Sequence, residues 1–189
     1  MKLLNSQLRR WLVILLFVGG LGVALTGSNA QIDSCLTPAI EQLEAEAFEQ
    51  AKVALEACDA QGNMVAAYNL GLLLESDLLE EQDIEAAVLA YRRAIDLIEA
   101  RFALGLILIE GRSAAGFQYD EGRMLIASAA DAGFEPAFEV YSMLLMSGAG
   151  GAEDFQEAHR WACAAQEAGR EVGFMDLLSR RLNAEQLHC

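Results

Sequence analysis

The residues of this sequence best suited to chemistry are four cysteines and two histidines. The cysteines are Cys35, Cys58, Cys163 and Cys189. Metal binding is disfavoured because no two cysteines have Cys-x-x-Cys spacing, and because His159 and His188 are not paired at ligand spacing. An even number of cysteines instead favours disulfides in an exported chain. The alternative is that some of them, such as Cys58, are small buried apolar residues.

The other polar residues do not form a recognisable catalytic or ligand-binding pattern. Lys52 is the single lysine after residue 30, and the chain has neither a Ser-x-x-Lys nor a Gly-x-Ser-x-Gly motif. GAGGAED (148–154) lacks the Lys and Ser/Thr of a phosphate-binding loop, and the acids of residues 75–83 lack EF-hand spacing. His159 is interpreted as a half-exposed helix position. We therefore predict no catalytic residue, no cofactor and no bound metal ion.

The N-terminus has the three parts of a secretory signal peptide. The basic segment MKLLNSQLRR precedes the uncharged run WLVILLFVGGLGVALTG (11–27), and Ser28-Asn29-Ala30 supplies the small residues that a signal peptidase reads. We predict a signal peptide over residues 1–30, cleavage after Ala30, and a periplasmic or secreted protein. The alternative is an uncleaved anchor that leaves the body facing the periplasm, although 17 apolar residues lie at the short limit for crossing a bilayer.

The charge balance is strongly acidic. The sequence contains 28 acidic and 13 basic residues, a formal net charge of −15. Residues 1–30 hold three of the basic residues and no acid, so the exported part would carry 10 basic and 28 acidic side chains, or −18. Such a surface repels phosphate backbones and anionic lipid, which argues against nucleic acid as a partner and against membrane contact beyond the N-terminal segment. The acids either keep the surface soluble or form a site for a basic partner.

Four segments of fifteen residues align without gaps and reveal an internal repeat. They begin at residues 48, 84, 119 and 155, which are 36, 35 and 36 residues apart. In the fourth, seventh, eighth and eleventh columns of this alignment every residue is small or apolar, and such spacing lies on one face of a helix. The residues of these columns are Ala51, Ala54, Leu55 and Cys58; Ala87, Ala90, Tyr91 and Ala94; Gly122, Leu125, Ile126 and Ala129; and Ala158, Trp161, Ala162 and Ala165.

A second helix, with the signature Ala-x-x-x-Leu-Gly, is repeated between these segments. Its copies hold Ala66, Leu70 and Gly71; Ala100, Leu104 and Gly105; and, more loosely, Ala137, Tyr141 and Ser142. Glycines that suit helix ends follow at Gly111 and Gly148, and Gly169 marks the end of the last aligned segment. Neither helix can bury its apolar face alone, so the helix pairs must stack. The fold class is therefore predicted to be all-α, an α/α solenoid of antiparallel helix hairpins.

These units resemble the Sel-one-like repeat, a relative of the tetratricopeptide repeat. The resemblance spans roughly residues 47–170 and is carried by AAYNLGLLLES, EARFALGLILIEG and PAFEVYSMLLMSGAGGAEDFQEAHRWACAAQEAG. The third unit is in register at Gly148, Gly150, Asp154, Ala158, Trp161 and Ala165. The first unit has Ser76-Asp77 in place of the glycine pair, and the second has Gly122 and Leu125 in place of the usual Ala and Trp.

The resemblance implies a curved helical scaffold for protein–protein contacts, with a protein or peptide as partner and no catalysis. Two other functions stay open. Cysteine-rich relatives in this repeat class are linked to β-lactamase activity or penicillin binding, so a cell-wall-related enzyme or penicillin-interacting protein is one alternative. A membrane-anchored structural component of the envelope is the other. Trp161 is interpreted as a core residue before a binding anchor.

We divide the chain after residue 30 into N-terminal capping helices (31–62), three repeats (63–170) and a C-terminal cap (171–189). Thr37-Pro38 predicts a helix start, because Thr is a good N-cap and Pro suits the first helical position. The segment REVGFMDLLSRRL (170–182) predicts a long last helix. Asn183 then predicts the start of a short final helix over 183–186.

This layout suggests how the cysteines pair. Turns near residues 170 and 183 would return Cys189 to the height of Cys163, at a separation suited to a disulfide. Cys35 and Cys58 can meet only if the chain turns near residue 47, where no turn residue is found. One continuous helix would hold these two residues roughly 34 Å apart. Both bridges are therefore hypotheses.

Signal cleavage predicts the mass of the exported protein. Because cleavage after Ala30 removes residues 1–30, intact-mass spectrometry of the protein recovered from the periplasm or medium should show a chain that begins at Gln31. A full-length mass confined to the membrane fraction would support the anchor and contradict cleavage.

Overall fold

The structure, a computed structural model, describes residues 30–183 and residue 189. The predicted signal peptide up to Asn29, the predicted final helix beyond Asn183, and His188 lie outside the described residues. Nine helices form in the described part of the chain, which contains no β-strand. They are α1 (Ala30–Glu44), α2 (Phe48–Asp59), α3 (Met64–Glu75), α4 (Ile84–Arg93), α5 (Ile98–Glu110), α6 (Tyr119–Asp131), α7 (Glu135–Ser147), α8 (Phe155–Glu167) and α9 (Met175–Ser179).

The helices pack in chain order, because each one contacts chiefly the helix before it and the helix after it. The four aligned segments form α2, α4, α6 and α8, and the second repeated helix forms α3, α5 and α7. The predicted all-α solenoid of stacked hairpins is therefore confirmed. Between residues 30 and 183, no helix has the combined length and hydrophobicity that a membrane span requires.

The alanine-rich columns of the repeat form the core. Fourth-column residues are small and buried, and three of them, Ala51, Ala87 and Ala158, have no exposed surface. The eighth column is also 0% exposed in every copy, and its members are Leu55, Tyr91, Ile126 and Ala162. Small side chains let neighbouring helices come close, and the larger ones fill the space that remains. The seventh column lies at the edge of the core, since three of its four residues are only partly buried.

Two signature glycines mark the points of closest helix approach. A Cβ atom at Gly71 would lie 2.5 Å from Tyr91 Cε1, and one at Gly105 would lie 2.8 Å from Ile126 Cδ1 and 3.2 Å from the Gly122 carbonyl oxygen. The first two distances are far below van der Waals contact, and the third is tighter than most Cβ contacts. The Ala-x-x-x-Leu-Gly signature therefore needs glycine so that α3 can pack on α4 and α5 on α6.

Gly111 and Gly148 end α5 and α7 in the left-handed conformation, with φ of 66° and 70°. This region is costly for residues that carry a Cβ atom, and it lets the chain leave the helix sharply. Both glycines lie at helix ends, which is where the sequence pattern places them.

The prediction that α1 begins at Thr37-Pro38 is wrong. The described helix starts at Ala30, and Pro38 lies inside it. Residues on both sides of Pro38 are held in place: Cys35 precedes it and is bonded to Cys58, while Ala39 and Leu43 follow it and are buried in the core. These tertiary contacts stabilise a helix that the proline alone disfavours.

The turn between α1 and α2 uses no glycine. Glu46 takes a left-handed backbone conformation, with φ of 57°. The Ala47 N–H donates to the Gln42 carbonyl at 2.8 Å, and the Glu46 N–H donates to the Leu43 carbonyl at 3.0 Å. The chain therefore reverses near residue 47, as the Cys35–Cys58 bridge requires.

The last helix is shorter than predicted. Residues 170–182 contain only the five-residue helix α9, preceded by an irregular segment. Val172 and Leu178 are buried against α8, so the segment caps the core through two side chains. Residues 170–172 are irregular and residues 173 and 174 form a turn, so the segment does not form one continuous helix.

The close approach at Gly71 predicts a matched pair of variants. Gly71→Ala should lower the free energy of unfolding by about 1–3 kcal/mol, because the new methyl group overlaps the Tyr91 ring. Gly173→Ala is the control, since a Cβ atom there would meet nothing within 4 Å. It should leave stability unchanged to within about 0.5 kcal/mol. Urea unfolding followed by circular dichroism measures both, and equal stability of the two variants would contradict the packing described here.

Candidate functional site

Both hypothesised disulfides are present. Cys35 is bonded to Cys58 and Cys163 to Cys189, with a Cα–Cα separation of 5.3 Å in each pair. The first bridge joins α1 to α2, and the second ties residue 189 to α8. No free cysteine remains. The cysteines therefore fasten the two ends of the array and offer no thiolate for catalysis.

His159 lies beside the C-terminal bridge. Its ring nitrogens are 3.7 and 3.9 Å from Cys163 Sγ, and the residue is 3% exposed. The interpretation of His159 as a half-exposed position is therefore wrong, because Cys163 and its bonded partner cover the ring. His159, Cys163 and Cys189 place three potential metal ligands within 4.8 Å of one another. Both sulfurs are shared in a disulfide, so they are not the thiolates that bind zinc.

Trp161 packs among aromatic side chains of α7. Its ring centroid lies 5.3 Å from that of Phe138 and 5.6 Å from that of Tyr141. The indole N–H donates to a carboxylate oxygen of Glu157 at 2.8 Å. The interpretation of Trp161 as a core residue agrees with these contacts.

A hydrogen-bonded cluster joins α3, α4 and the end of α5. The Tyr91 hydroxyl donates to Glu75 Oε2 at 2.7 Å, and Arg112 donates to Glu75 Oε1 at 2.8 Å. Burial, together with the negative charge of Glu75, raises the pKa of Tyr91 far above its usual value. Burial chiefly raises the pKa of neighbouring Tyr68 to about 12. In the sequence Glu75 stands among loop acids and nothing indicates this cluster, because its members are far apart along the chain.

The most prominent exposed feature is a row of apolar side chains at the sixth column of the repeat. Val53, Leu89 and Met124 occupy this column in α2, α4 and α6, and their exposed fractions are 63%, 58% and 68%. We call these three residues the apolar row. In α8 the same column holds the exposed Arg160, so the row stops there. The repeat alignment contains this row, but the sequence alone does not show that the sixth column is exposed.

An acidic residue stands one helical turn before each member of the apolar row. Glu49, Glu85 and Asp120 are exposed and precede Val53, Leu89 and Met124 by four residues. Residues four apart are neighbours on a helix surface. The row is therefore lined on one side by carboxylates.

The nearby arginines of α4 are already neutralised. Arg92 pairs with Glu121 of α6 at 2.5 Å, which raises the pKa of Arg92 and lowers that of Glu121 mainly through their hydrogen bond. Arg93 pairs with Asp59 of α2, also at 2.5 Å. These pairs join α4 to α2 and to α6. They leave the surface around the apolar row with excess negative charge.

A cleft of about 390 Å³ opens beside Leu89, between α2 and α4. Leu70 and Leu74 of α3 contribute apolar atoms to its wall, and Glu56 and Lys52 of α2 contribute polar ones. The cleft can accept an apolar side chain whose neighbours are cationic.

Among proteins of known structure, a Sel1 repeat protein from Oxalobacter formigenes is similar to this chain. It is 28% identical with a TM-score of 0.62, and the match covers 70% of this chain and 55% of that protein. A protective antigen of uropathogenic Escherichia coli with an SLR fold is 17% identical with a TM-score of 0.43, and the match covers 95% of this chain and 50% of that one. A TM-score this low supports no inference about the present chain. No protein-family model matches the chain, and no curated protein is significantly similar to it.

The fold and the exposed row define the class as an all-α repeat protein that presents a helical surface. Within that class, the Oxalobacter structure and the Ala-x-x-x-Leu-Gly signature repeated at Gly71 and Gly105 support the Sel1-like repeat family. The resemblance predicted from the sequence is thereby confirmed.

The raised pKa values of Tyr91 and Tyr68 predict loss of stability in alkali. Both phenols keep their protons in the folded chain at a pH where they lose them in the unfolded chain, so stability is complete below about pH 10 and falls above it. The slope should approach ~1.4 kcal/mol per pH unit for each tyrosine that stays protonated. Urea unfolding at several pH values above 9 measures it. Tyr91→Phe should show a shallower decline, and an unchanged slope in that variant would contradict the assignment.

Proposed function

We propose that this protein is an exported scaffold for protein–protein contacts, which binds a protein or peptide segment and catalyses no reaction. The observation that carries the proposal is the apolar row, because an exposed apolar residue recurs at the same repeat position in α2, α4 and α6. Buried columns serve packing in every helical array, whereas an exposed column that stays apolar in three copies does not contribute to the core. A binding surface gives that column a physical role.

The two bridges support the exported location. Structural disulfides persist in the periplasm and outside the cell and are rare in the cytosol. Here all four cysteines of the chain are paired, at both ends of the array. The predicted signal peptide of residues 1–30 and the proposed periplasmic or secreted location agree with this chemistry.

The polar clusters of the described chain support a structural role for its titratable groups. Tyr91 is a buried neutral phenol engaged with Glu75, and His159 is enclosed beside a disulfide. Neither group is presented to a cleft where a substrate would meet it. We therefore propose that the activity of the protein is binding, through the exposed surface of α2, α4 and α6.

Capture from the native envelope tests this function. The purified protein, crosslinked in the envelope fraction with its disulfides intact, should recover a stable protein partner at a fixed stoichiometry. The same protein after reduction and alkylation is the control, because removing both bridges destabilises the array and should reduce recovery. A protein that stays alone under crosslinking, or one that hydrolyses nitrocefin, would contradict the proposal.

A further inference from the structure

We propose that the apolar row and the carboxylates beside it form a docking surface for a cationic amphipathic helix of a partner protein. This inference rests on the proposed scaffold function and names the chemistry of the segment that is bound. The surface is defined by Val53, Leu89 and Met124 with Glu49, Glu56, Glu85 and Asp120. We call it the docking surface.

Repetition is the first argument. Single exposed apolar residues are ordinary on protein surfaces. Here the acid and the apolar residue recur together, four positions apart, in α2, α4 and α6. In α8 both change at once, to Gln156 and Arg160, and Arg160 pairs with Glu157 instead. A pattern that is kept in three adjacent helices and lost jointly in the fourth defines a bounded surface.

Charge complementarity is the second argument. Within the described part of the chain, Glu49, Glu56 and Asp120 have no ion-pair partner, whereas Arg92 and Arg93 are each paired with a carboxylate. Free carboxylates beside apolar side chains favour a ligand that carries both positive charge and apolar groups. The net charge of −15 adds long-range attraction for such a ligand.

The arrangement of the row favours a helix as the form of the ligand. Side-chain ion pairs join α4 to α2 and to α6, through Arg93–Asp59 and Arg92–Glu121, so successive members of the apolar row lie on helices within side-chain reach of one another. An α-helix repeats its apolar face about every seven residues, an advance of about 10.5 Å, and can present one apolar side chain after another to such a row. One apolar side chain of the ligand would then enter the cleft at Leu89, whose wall includes Leu70 and Leu74.

A second copy of this chain fits the docking surface less well. Two copies would oppose acidic surfaces, each lined by Glu49, Glu85 and Asp120, and like charges brought together across an interface are strongly unfavourable. The occupant is therefore a partner of opposite charge.

The direct test is titration of the full exported chain, with its disulfides intact, against a labelled synthetic helix. The probe is a peptide of about 20 residues, long enough to form helix on the surface, with leucine on one face and lysine on the other. Fluorescence anisotropy should show saturable binding that weakens as salt is raised. The same peptide with glutamate in place of lysine should not bind.

Matched variants locate the binding. Leu89→Asn and Met124→Asn should each weaken binding about tenfold, because each removes an apolar contact from the centre of the surface. Val65→Asn and Met143→Asn are the controls, since these residues are 44% and 41% exposed on α3 and α7. They should bind as the wild type does. Glu49→Gln combined with Asp120→Asn should weaken binding and flatten its salt dependence, and Glu41→Gln combined with Glu135→Gln should not.

Three outcomes would overturn the inference: no binding of the cationic peptide, equal weakening by the control variants, or a dimer in sedimentation experiments that Met124→Asn dissolves. The last would show that a second copy occupies the surface. If the envelope partner is captured equally by wild type, Leu89→Asn and Met124→Asn, the scaffold function stands and this docking surface is wrong. If capture fails while the peptide binds selectively, the surface binds a cationic helix but the envelope supplies no partner for it, which contradicts the scaffold function.

Discussion

The array depends on one packing constraint, which is that residues with little or no side chain stand at fixed positions where neighbouring helices come closest. Ala51, Ala87 and Ala158 have no exposed surface, and Gly71 and Gly105 stand where a methyl group would overlap the next helix. Alanine and glycine bury little apolar area, so their contribution is geometric. They bring the backbones close enough for the larger residues of the eighth column to fill the core at normal density. The apolar row is exposed because it lies on the opposite side of the same helices.

The two cross-links lie at the outer helices of the described array. The Cys35–Cys58 bridge holds α1 on α2, and the Cys163–Cys189 bridge holds residue 189 on α8. A disulfide of this loop length typically contributes ~2–4 kcal/mol by restricting the unfolded chain. The docking surface therefore lies on α2, α4 and α6, within a row of helices that is cross-linked at α2 and at α8.

Features that recur along the chain were predictable from the sequence, and features made by tertiary contact were not. The buried columns, the glycine helix ends and the fold class follow from a periodicity that repeats four times. The turn at Glu46 has no local signal, since it is fixed by the packing of α1 on α2. The burial of His159 depends on a bridge to a residue 30 positions away, and the Tyr91–Glu75–Arg112 cluster joins three separate elements. The apolar row was present in the alignment, but an exposed apolar column becomes informative only when exposure is known.

The central claim is that the sixth column of the repeat faces solvent, whereas the eighth column, two residues further along each helix, faces the core. Hydroxyl-radical footprinting tests this claim most directly. It measures the oxidation rate of each side chain in the native protein, which is divided by the rate of the same side chain in the unfolded chain. The account predicts near-unfolded reactivity for Val53, Leu89 and Met124, together with strong protection of Leu55, Tyr91 and Ile126. Similar reactivity in the two columns, or protection of the sixth column alone, would contradict it.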